Sequence, residues 1–311
     1  MATKKAASTK KATAKKPAPV ASKTTVRTLR ADEKSVKETA SKTTNQPTAS
    51  KPVTASRGGQ TLPNNIVNIV FAELFGTFAL TLVALFASKE TGSLYTGLLV
   101  AIMAMAVAAV SGAHFNPAIT FAKWTMRQLK SILLPFYMGA QFLGTMLAVI
   151  VINWVTNNSL HLDFSHIGSM DWKLFGVELI GALVLMFGWA AASNRQVLDS
   201  WGKALGTGLA VTVGLVSAAS LLASMQSAID TSQITSIDKV PHELRIKSAV
   251  LNPAVAVAST EQSDSSFTGS RDDPNEKQIS RFSLEVVLGT LIGAAVGGNL
   301  YLLIAGSRKD Q

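Results

Sequence analysis

The sequence predicts an all-α membrane protein with six transmembrane helices and two re-entrant half-helices, arranged as an inverted 3+3 repeat. Three observations support this prediction. The composition is 48% hydrophobic and only 15% charged, with a mean hydropathy of +0.28, which is typical of membrane proteins. Six apolar segments are long enough to cross a bilayer. The tripeptide Asn-Pro-Ala occurs twice, once between the second and third segments and once between the fifth and sixth.

The chain begins with a basic tail, residues 1–62, that we expect to be disordered and cytoplasmic. Residues 1–60 contain 11 Lys and 3 Arg against 3 acidic residues, a net charge of +11, so the rest of the chain carries −1. This Lys/Ala-rich tail has no aromatic residue and cannot bury enough apolar surface to fold. Contact with anionic lipid headgroups is the favoured interpretation. Nucleic-acid contact and an organellar transit peptide are the alternatives.

The membrane domain follows, over residues 63–306, and the short C-terminus 307–311 is predicted to be cytoplasmic. Each span needs about 20 apolar residues, and the spans contain many glycines, which allow helices to approach closely. The predicted spans are 65–88, 93–112, 131–155, 171–192, 203–224 and 282–305.

The distribution of Lys and Arg predicts the orientation of these spans. An even number of spans places both termini on one side, and the positive residues near the span ends fall on that side, which identifies it as the cytoplasm. These residues are Lys123, Arg127, Lys130, Arg195, Lys203, Arg308 and Lys309, whereas the opposite loops contain Asp230, Asp238, Asp272 and Asp273.

The spans also indicate an internal repeat, with repeat one over about 63–157 and repeat two over about 170–306. Three spans per repeat is an odd number, so the second copy is inverted relative to the first. The aligned pairs are Glu73 with Glu178, Gly76 with Gly181, and Gly144 with Gly293.

The two Asn-Pro-Ala motifs predict the two half-helices. Proline suits the first position of a helix, and the preceding Asn can cap that helix through its side-chain oxygen. In inverted repeats the two motifs enter the membrane from opposite faces and can meet near its middle. Non-helical backbone at that depth is tolerated only inside protein or beside a water-filled cavity. The motif residues are Asn116, Pro117, Ala118, Asn252, Pro253 and Ala254.

This arrangement resembles the aquaporin family (major intrinsic proteins) over residues 64–306. The resemblance rests on Glu73 with "GTF", on "SGAHFNPAIT", on "AQFLG", on Glu178 and on the second Asn-Pro-Ala. It implies a pore in each subunit and a homotetramer. It also implies that Glu73 and Glu178 hold the re-entrant loops, and we expect His114 to be a loop-packing residue rather than a ligand.

The sequence departs from the family pattern where selectivity is usually set. The resemblance assigns the constriction to Thr96, Ser220, Ala249 and Val255, where Val255 replaces the usual Arg. Small neutral residues at these positions predict a wider and less polar opening. The long stretch from Ser224 to Val250 suggests that Arg245 or Lys247 folds over the mouth and replaces the missing charge.

We therefore expect a passive channel for water or small uncharged solutes in the plasma membrane, with no enzymatic activity, no cofactor and no metal site. A facilitator for glycerol, urea or ammonia with little water selectivity is one alternative. A poorly conducting scaffold that uses its basic tail to bind lipid, protein or nucleic acid is another. The absence of cysteine excludes disulfides and thiolate metal sites.

Overall fold

The protein is described from a computed structural model, which defines residues 61–87, 91–156, 161–268 and 278–306. Within these ranges six helices are long and apolar enough to cross a membrane, as the sequence predicts. Many of their large apolar side chains are exposed on the surface of the protein, where the hydrocarbon of a bilayer can cover them. The six helices are α1 (Ile66–Phe86), α2 (Gly92–Ser111), α4 (Leu134–Thr156), α5 (Trp172–Asn194), α6 (Ser200–Ser227) and α10 (Leu284–Ala305).

Two short helices lie between these spans. Helix α3 (Pro117–Thr125) follows α2, and helix α8 (Pro253–Ala258) follows the long connection after α6. Both begin at the proline of an Asn-Pro-Ala motif. Every residue of α8 is buried, so this helix lies inside the bundle. The predicted six spans and two half-helices are both present.

The connections α4–α5, α6–α8 and α8–α10 form one surface, which we call the long-loop face. Its described residues are 161–171, 228–251, 259–268 and 278–283. Parallel strands β1 (Leu162–Asp163) and β2 (Gln278–Ile279) pair there. Short 3₁₀ turns on this face cover Thr231–Gln233 and Ile237–Lys239, and its small helices are α7 (His242–Arg245) and α9 (Ser265–Thr268). A further 3₁₀ turn, Ser131–Leu133, lies in the α3–α4 connection.

Glycines set the closest helix crossings, and they do so at corresponding places in the two repeats. Gly144 of α4 packs on the backbone carbonyl of Leu74 in α1, and Gly293 of α10 packs on that of Leu179 in α5. A Cβ at either glycine would overlap the carbonyl oxygen. Since Leu74 and Leu179 directly follow Glu73 and Glu178, the same contact occurs in both halves, in line with the predicted alignment.

The structure extends the predicted fifth span at both ends. Helix α6 runs over 28 residues, against the predicted 203–224, because Asp199 caps its start by accepting from the Gly202 backbone N–H at 2.7 Å. Its last turn, with Gln226, is polar and reaches the long loop. Residues 1–60 and 307–311 lie outside the described residues, and so do Asp272, Asp273, Arg308 and Lys309.

Candidate pore and its two Asn-Pro-Ala motifs

Each half-helix is capped by the asparagine of its motif. The Asn116 side-chain oxygen accepts a hydrogen bond from the Ala118 backbone N–H at 2.8 Å. The Asn252 side-chain oxygen accepts from the Ala254 N–H at 3.0 Å and from the Val255 N–H at 3.4 Å. Both asparagines have extended backbone, the usual geometry of an N-cap.

The same two side chains join the motifs to each other. The Asn116 amide NH₂ donates to the carbonyl of Leu251 at 2.8 Å, and the Asn252 amide NH₂ donates to the carbonyl of Phe115 at 3.0 Å. The two residues that accept immediately precede the asparagines. We call this reciprocal pair of hydrogen bonds the cross-tie. An amide NH₂ has two N–H donors, so the cross-tie uses one donor of each asparagine.

The residue before each asparagine has left-handed backbone. Phe115 has φ of 51° and Leu251 has φ of 54°, a conformation that non-glycine residues adopt rarely and at a free-energy cost. Each of these side chains packs against a glycine of the long helix in its own repeat, Phe115 on Gly76 and Leu251 on Gly181. The absence of a side chain at both glycines makes the space for the strained loops.

In the first repeat, the strained loop is held by Glu73. Its carboxylate accepts from the backbone N–H groups of His114 at 3.0 Å and Phe115 at 2.7 Å, and from the Gln141 amide at 2.8 Å. The His114 ring packs inside the loop: it contacts the ring of Tyr137, and its Nδ1 lies 3.2 Å from the Thr120 hydroxyl oxygen. All six residues are buried.

In the second repeat, Glu178 has the corresponding role. Its carboxylate accepts from the backbone N–H groups of Val250 at 3.1 Å and Leu251 at 2.9 Å. The further partner differs from that of repeat one, because it is a cation. Arg281 lies 3.6 Å from Glu178 and 3.0 Å from Glu285, and its side chain is 2% exposed.

Arg281 was not among the site residues predicted from the sequence. It stands two residues before the N-cap Ser283 of α10 and looks like an ordinary loop cation. Glu285, four residues further on, could have indicated this role. A carboxylate at the start of an apolar span needs a positively charged partner, and Arg281 is a nearby cation.

A cavity of about 460 Å³ lies between the helices and opens toward the long-loop face. Asn116 and Asn252 both line it, so the cross-tie lies at its inner end. Its wall is mostly apolar where it is formed by α1, α2, α5 and α6. Besides the two motif asparagines, the polar side chains that line it are Ser93, Thr96, His114, Gln226, Lys247, Ser248, Ser259 and Thr260.

Three of the four predicted constriction residues line this cavity. They are Thr96 on α2, Ala249 in the re-entrant loop and Val255 on α8. The fourth assignment needs correction: Ser220 is exposed on the outer side of α6, where its hydroxyl donates to the Val216 carbonyl at 2.9 Å. Ala219 lines the cavity instead, because one residue along a helix rotates the side chain by about 100°.

The two cations proposed for the mouth lie in different places. Arg245 is held away from the cavity by Asp264 at 2.7 Å, by the Ile237 carbonyl at 3.0 Å and by the ring of Phe267. Lys247 lines the cavity, and its ammonium donates to the Thr260 hydroxyl at 3.3 Å. Of the two predicted candidates, the geometry favours Lys247.

Comparison with known proteins places this site in context. The sequence profile of the major intrinsic protein family matches residues 87–301. The chain is 31% identical over 175 residues to aquaporin NIP2-1 of Zea mays, covering 51% of this chain and 59% of that protein. It is 34% identical over 128 residues to aquaporin-1 of Mus musculus, covering 39% of this chain and 47% of that protein.

The chain thus spans about half the length of the curated relatives it matches. Among solved structures, the X-ray structure of the aquaglyceroporin from Plasmodium falciparum aligns over 76% of this chain and 93% of that chain, with 17% identity and a TM-score of 0.44.

The profile match covers more than two thirds of the sequence and includes both Asn-Pro-Ala motifs and the spans from α2 to α10. The chain belongs to the major intrinsic protein family, a family of channels rather than enzymes.

Proposed function

We propose that the protein is a passive channel for water and small uncharged solutes. The observation that carries this proposal is the cross-tie at the inner end of the cavity, where both half-helices begin. Each asparagine retains a second amide N–H, which can donate to the oxygen of a passing water or hydroxyl group.

Charge supports neutral permeants. Helix α3 and helix α8 both begin at the cross-tie, and a helix N-terminus carries roughly +0.5 elementary charge. Two such termini at one point of a narrow passage repel cations and disfavour proton transfer along a file of waters. Among the described residues the cavity lining contains one charged side chain, Lys247 at the mouth. The carboxylates of Glu73 and Glu178 bind the backbone N–H groups of the two loops and are not part of this lining.

The constriction that we propose, Thr96, Ala249 and Val255 with Ala219, contains no guanidinium. A fixed Arg narrows a pore and orients water, whereas short neutral side chains leave room for a three-carbon polyol. We therefore propose that glycerol passes together with water. A channel specialised for such solutes, with little water flux, is the alternative within transport.

Reconstituted vesicles test the proposal. Fast osmotic shrinkage in an impermeant osmolyte indicates water flux, and reswelling in glycerol indicates solute flux. We expect both for the unaltered protein, and Val255→Arg should reduce the glycerol rate much more than the water rate. If folded protein gives neither response, the channel proposal is contradicted and a scaffold is favoured.

Assembly and membrane placement form a second part of the proposal. We propose a homotetramer in the plasma membrane with both termini in the cytoplasm, and a tail over residues 1–62 that contacts anionic lipid. Apolar outer faces, such as those with Phe71, Leu143 and Ile150, are available for lipid and for neighbouring subunits. Mass measurement in detergent tests the tetramer, and protease access to the tail in sealed vesicles tests the orientation.

A further inference from the structure

Two histidines and a glutamate that are far apart in the sequence meet on the long-loop face. His166 lies in the α4–α5 connection, His242 is the first residue of α7, and Glu261 follows α8. The His166 Nδ1 and the His242 Nε2 each lie 3.0 Å from the Glu261 Oε1. One donor atom from each residue lies within 4.8 Å of those of the other two. We call these three residues the His₂Glu cluster.

We propose that the His₂Glu cluster binds a divalent transition-metal ion of the Zn²⁺ class. Two imidazole nitrogens and one carboxylate oxygen form a ligand set that Zn²⁺ uses, with water at a fourth position. Imidazole ligands also select this class over Ca²⁺ and Mg²⁺, which prefer oxygen ligands.

An unsatisfied group points to a ligand in the same place. The Glu261 side chain is 2% exposed, and its Oε2 is buried without a hydrogen-bond partner among the residues that the structure describes. An orphaned carboxylate oxygen is uncommon in a folded protein, and a metal ion would satisfy it.

The backbone holds the three ligands in position. The Glu261 N–H donates to the Ile279 carbonyl at 2.9 Å, and the Gln262 N–H donates to the Arg245 carbonyl at 2.7 Å. The His166 carbonyl accepts from Ser169 at 2.9 Å. The nitrogen–oxygen distances of 3.0 Å require only small side-chain shifts to admit an ion, since Zn²⁺ lies about 2.0–2.2 Å from such ligands.

The cluster lies beside the mouth of the cavity. Thr260, which directly precedes Glu261, lines the cavity and accepts from Lys247. A bound ion would therefore fasten three separate loops around the mouth. The sequence analysis expects no metal site, and the 76-residue separation of His166 from His242 leaves the cluster without a local sequence pattern.

Zinc binding to the full-length protein tests the proposal without a transport assay. Protein purified in detergent and stripped with a chelator should bind one Zn²⁺ per chain. His242→Ala and Glu261→Gln should each weaken binding by about tenfold or more, since even outer-shell changes have effects of this order. His161→Ala is the matched control, because His161 is exposed in the same connection as His166, and it should bind as tightly as the unaltered protein.

Equal Zn²⁺ affinity in all variants, or equal loss including His161→Ala, would overturn the proposal. The unfolding midpoint of each variant in chelator shows whether it is folded. Co²⁺ provides a readout that needs no variant: intense visible bands indicate a four- or five-coordinate ion, as three protein ligands with water would give, and a weak spectrum like that of aqueous Co²⁺ contradicts the site.

Discussion

At the scale of single residues, the two asparagines have two functions at once. Each caps its own half-helix through oxygen and fastens the opposite loop through nitrogen. The Asn-Pro-Ala sequence predicts the cap, since an asparagine before a helix-starting proline is a local pattern. It does not predict the cross-tie, because the partners Asn116 and Leu251 are 135 residues apart.

Replacing both asparagines by aspartate tests the cross-tie. In the double variant Asn116→Asp with Asn252→Asp the caps remain, but both amide donors are lost. In the unaltered protein the asparagine nitrogens lie 2.8 and 3.0 Å from the carbonyl oxygens of Leu251 and Phe115, so in the variant carboxylate oxygens would face these carbonyls. We expect loss of most water and glycerol flux in vesicles at equal protein content. Asn65→Asp is the control, because Asn65 is exposed and makes no side-chain cap; full flux in the double variant would contradict the assigned role.

The role of Arg281 depends on two carboxylates that belong to the helices α5 and α10. It forms ion pairs with both Glu178 and Glu285, and both carboxylates are almost fully buried. We expect Arg281→Met to lower the free energy of unfolding by about 3–5 kcal/mol, since removing one partner leaves the others charged and buried.

Arg245→Met is the matched control for that substitution. Arg245 pairs with Asp264, whose side chain is 56% exposed, and solvent-exposed ion pairs contribute about 0–1 kcal/mol. Although Arg245→Met also removes the hydrogen bond to the Ile237 carbonyl, we expect a smaller loss than for Arg281→Met, whose partners are two buried carboxylates. Thermal unfolding in detergent compares the two variants. An equal drop in midpoint would show that burial of the Arg281 network is not what stabilises the second re-entrant loop.

At the scale of elements, apolar length predicts the spans and fails only at their ends. The predicted segments differ from α1, α2, α4, α5 and α10 by at most a few residues. Ends are harder because they depend on caps, such as Asp199 before α6. The face of a helix is harder still, as Ser220 and Ala219 show, because neighbouring positions on an apolar helix are equivalent in hydropathy and differ only in direction.

The crossing of α1 and α4 yields a prediction at this scale. Gly144→Ala places a Cβ on the Leu74 carbonyl, whereas Gly139→Ala in the same helix places one where no atom lies within 4 Å. Alanine favours helix by about 1 kcal/mol over glycine, so Gly139→Ala should leave the unfolding midpoint equal or higher. Gly144→Ala should lower it, and the reverse order would show that α1 and α4 do not depend on this contact.

At the scale of the whole molecule, the two repeats are alike in their polypeptide geometry and different in their charge. Phe115 and Leu251 share the left-handed backbone, and Gly76 and Gly181 share the contact that accommodates it. Charge separates the repeats, because the buried carboxylate pairs with neutral Gln141 in the first repeat and with Arg281 in the second. The sequence alignment reveals the likeness, but the difference follows only from three-dimensional neighbours.

The membrane domain and the basic tail should also be separable in function. Among the described residues, those that line the cavity lie between Leu80 and Thr260. Deletion of residues 1–60 removes a net charge of +11 and leaves all of these lining residues in the chain. We expect unchanged water and glycerol rates per protein in vesicles.

A peptide of residues 1–60 should bind vesicles that contain anionic lipid and be released by salt, since each basic residue near such a surface contributes about 1 kcal/mol. A peptide that ignores anionic vesicles but binds DNA would favour nucleic acid as its partner, and loss of flux on deletion would show that the tail is part of the channel.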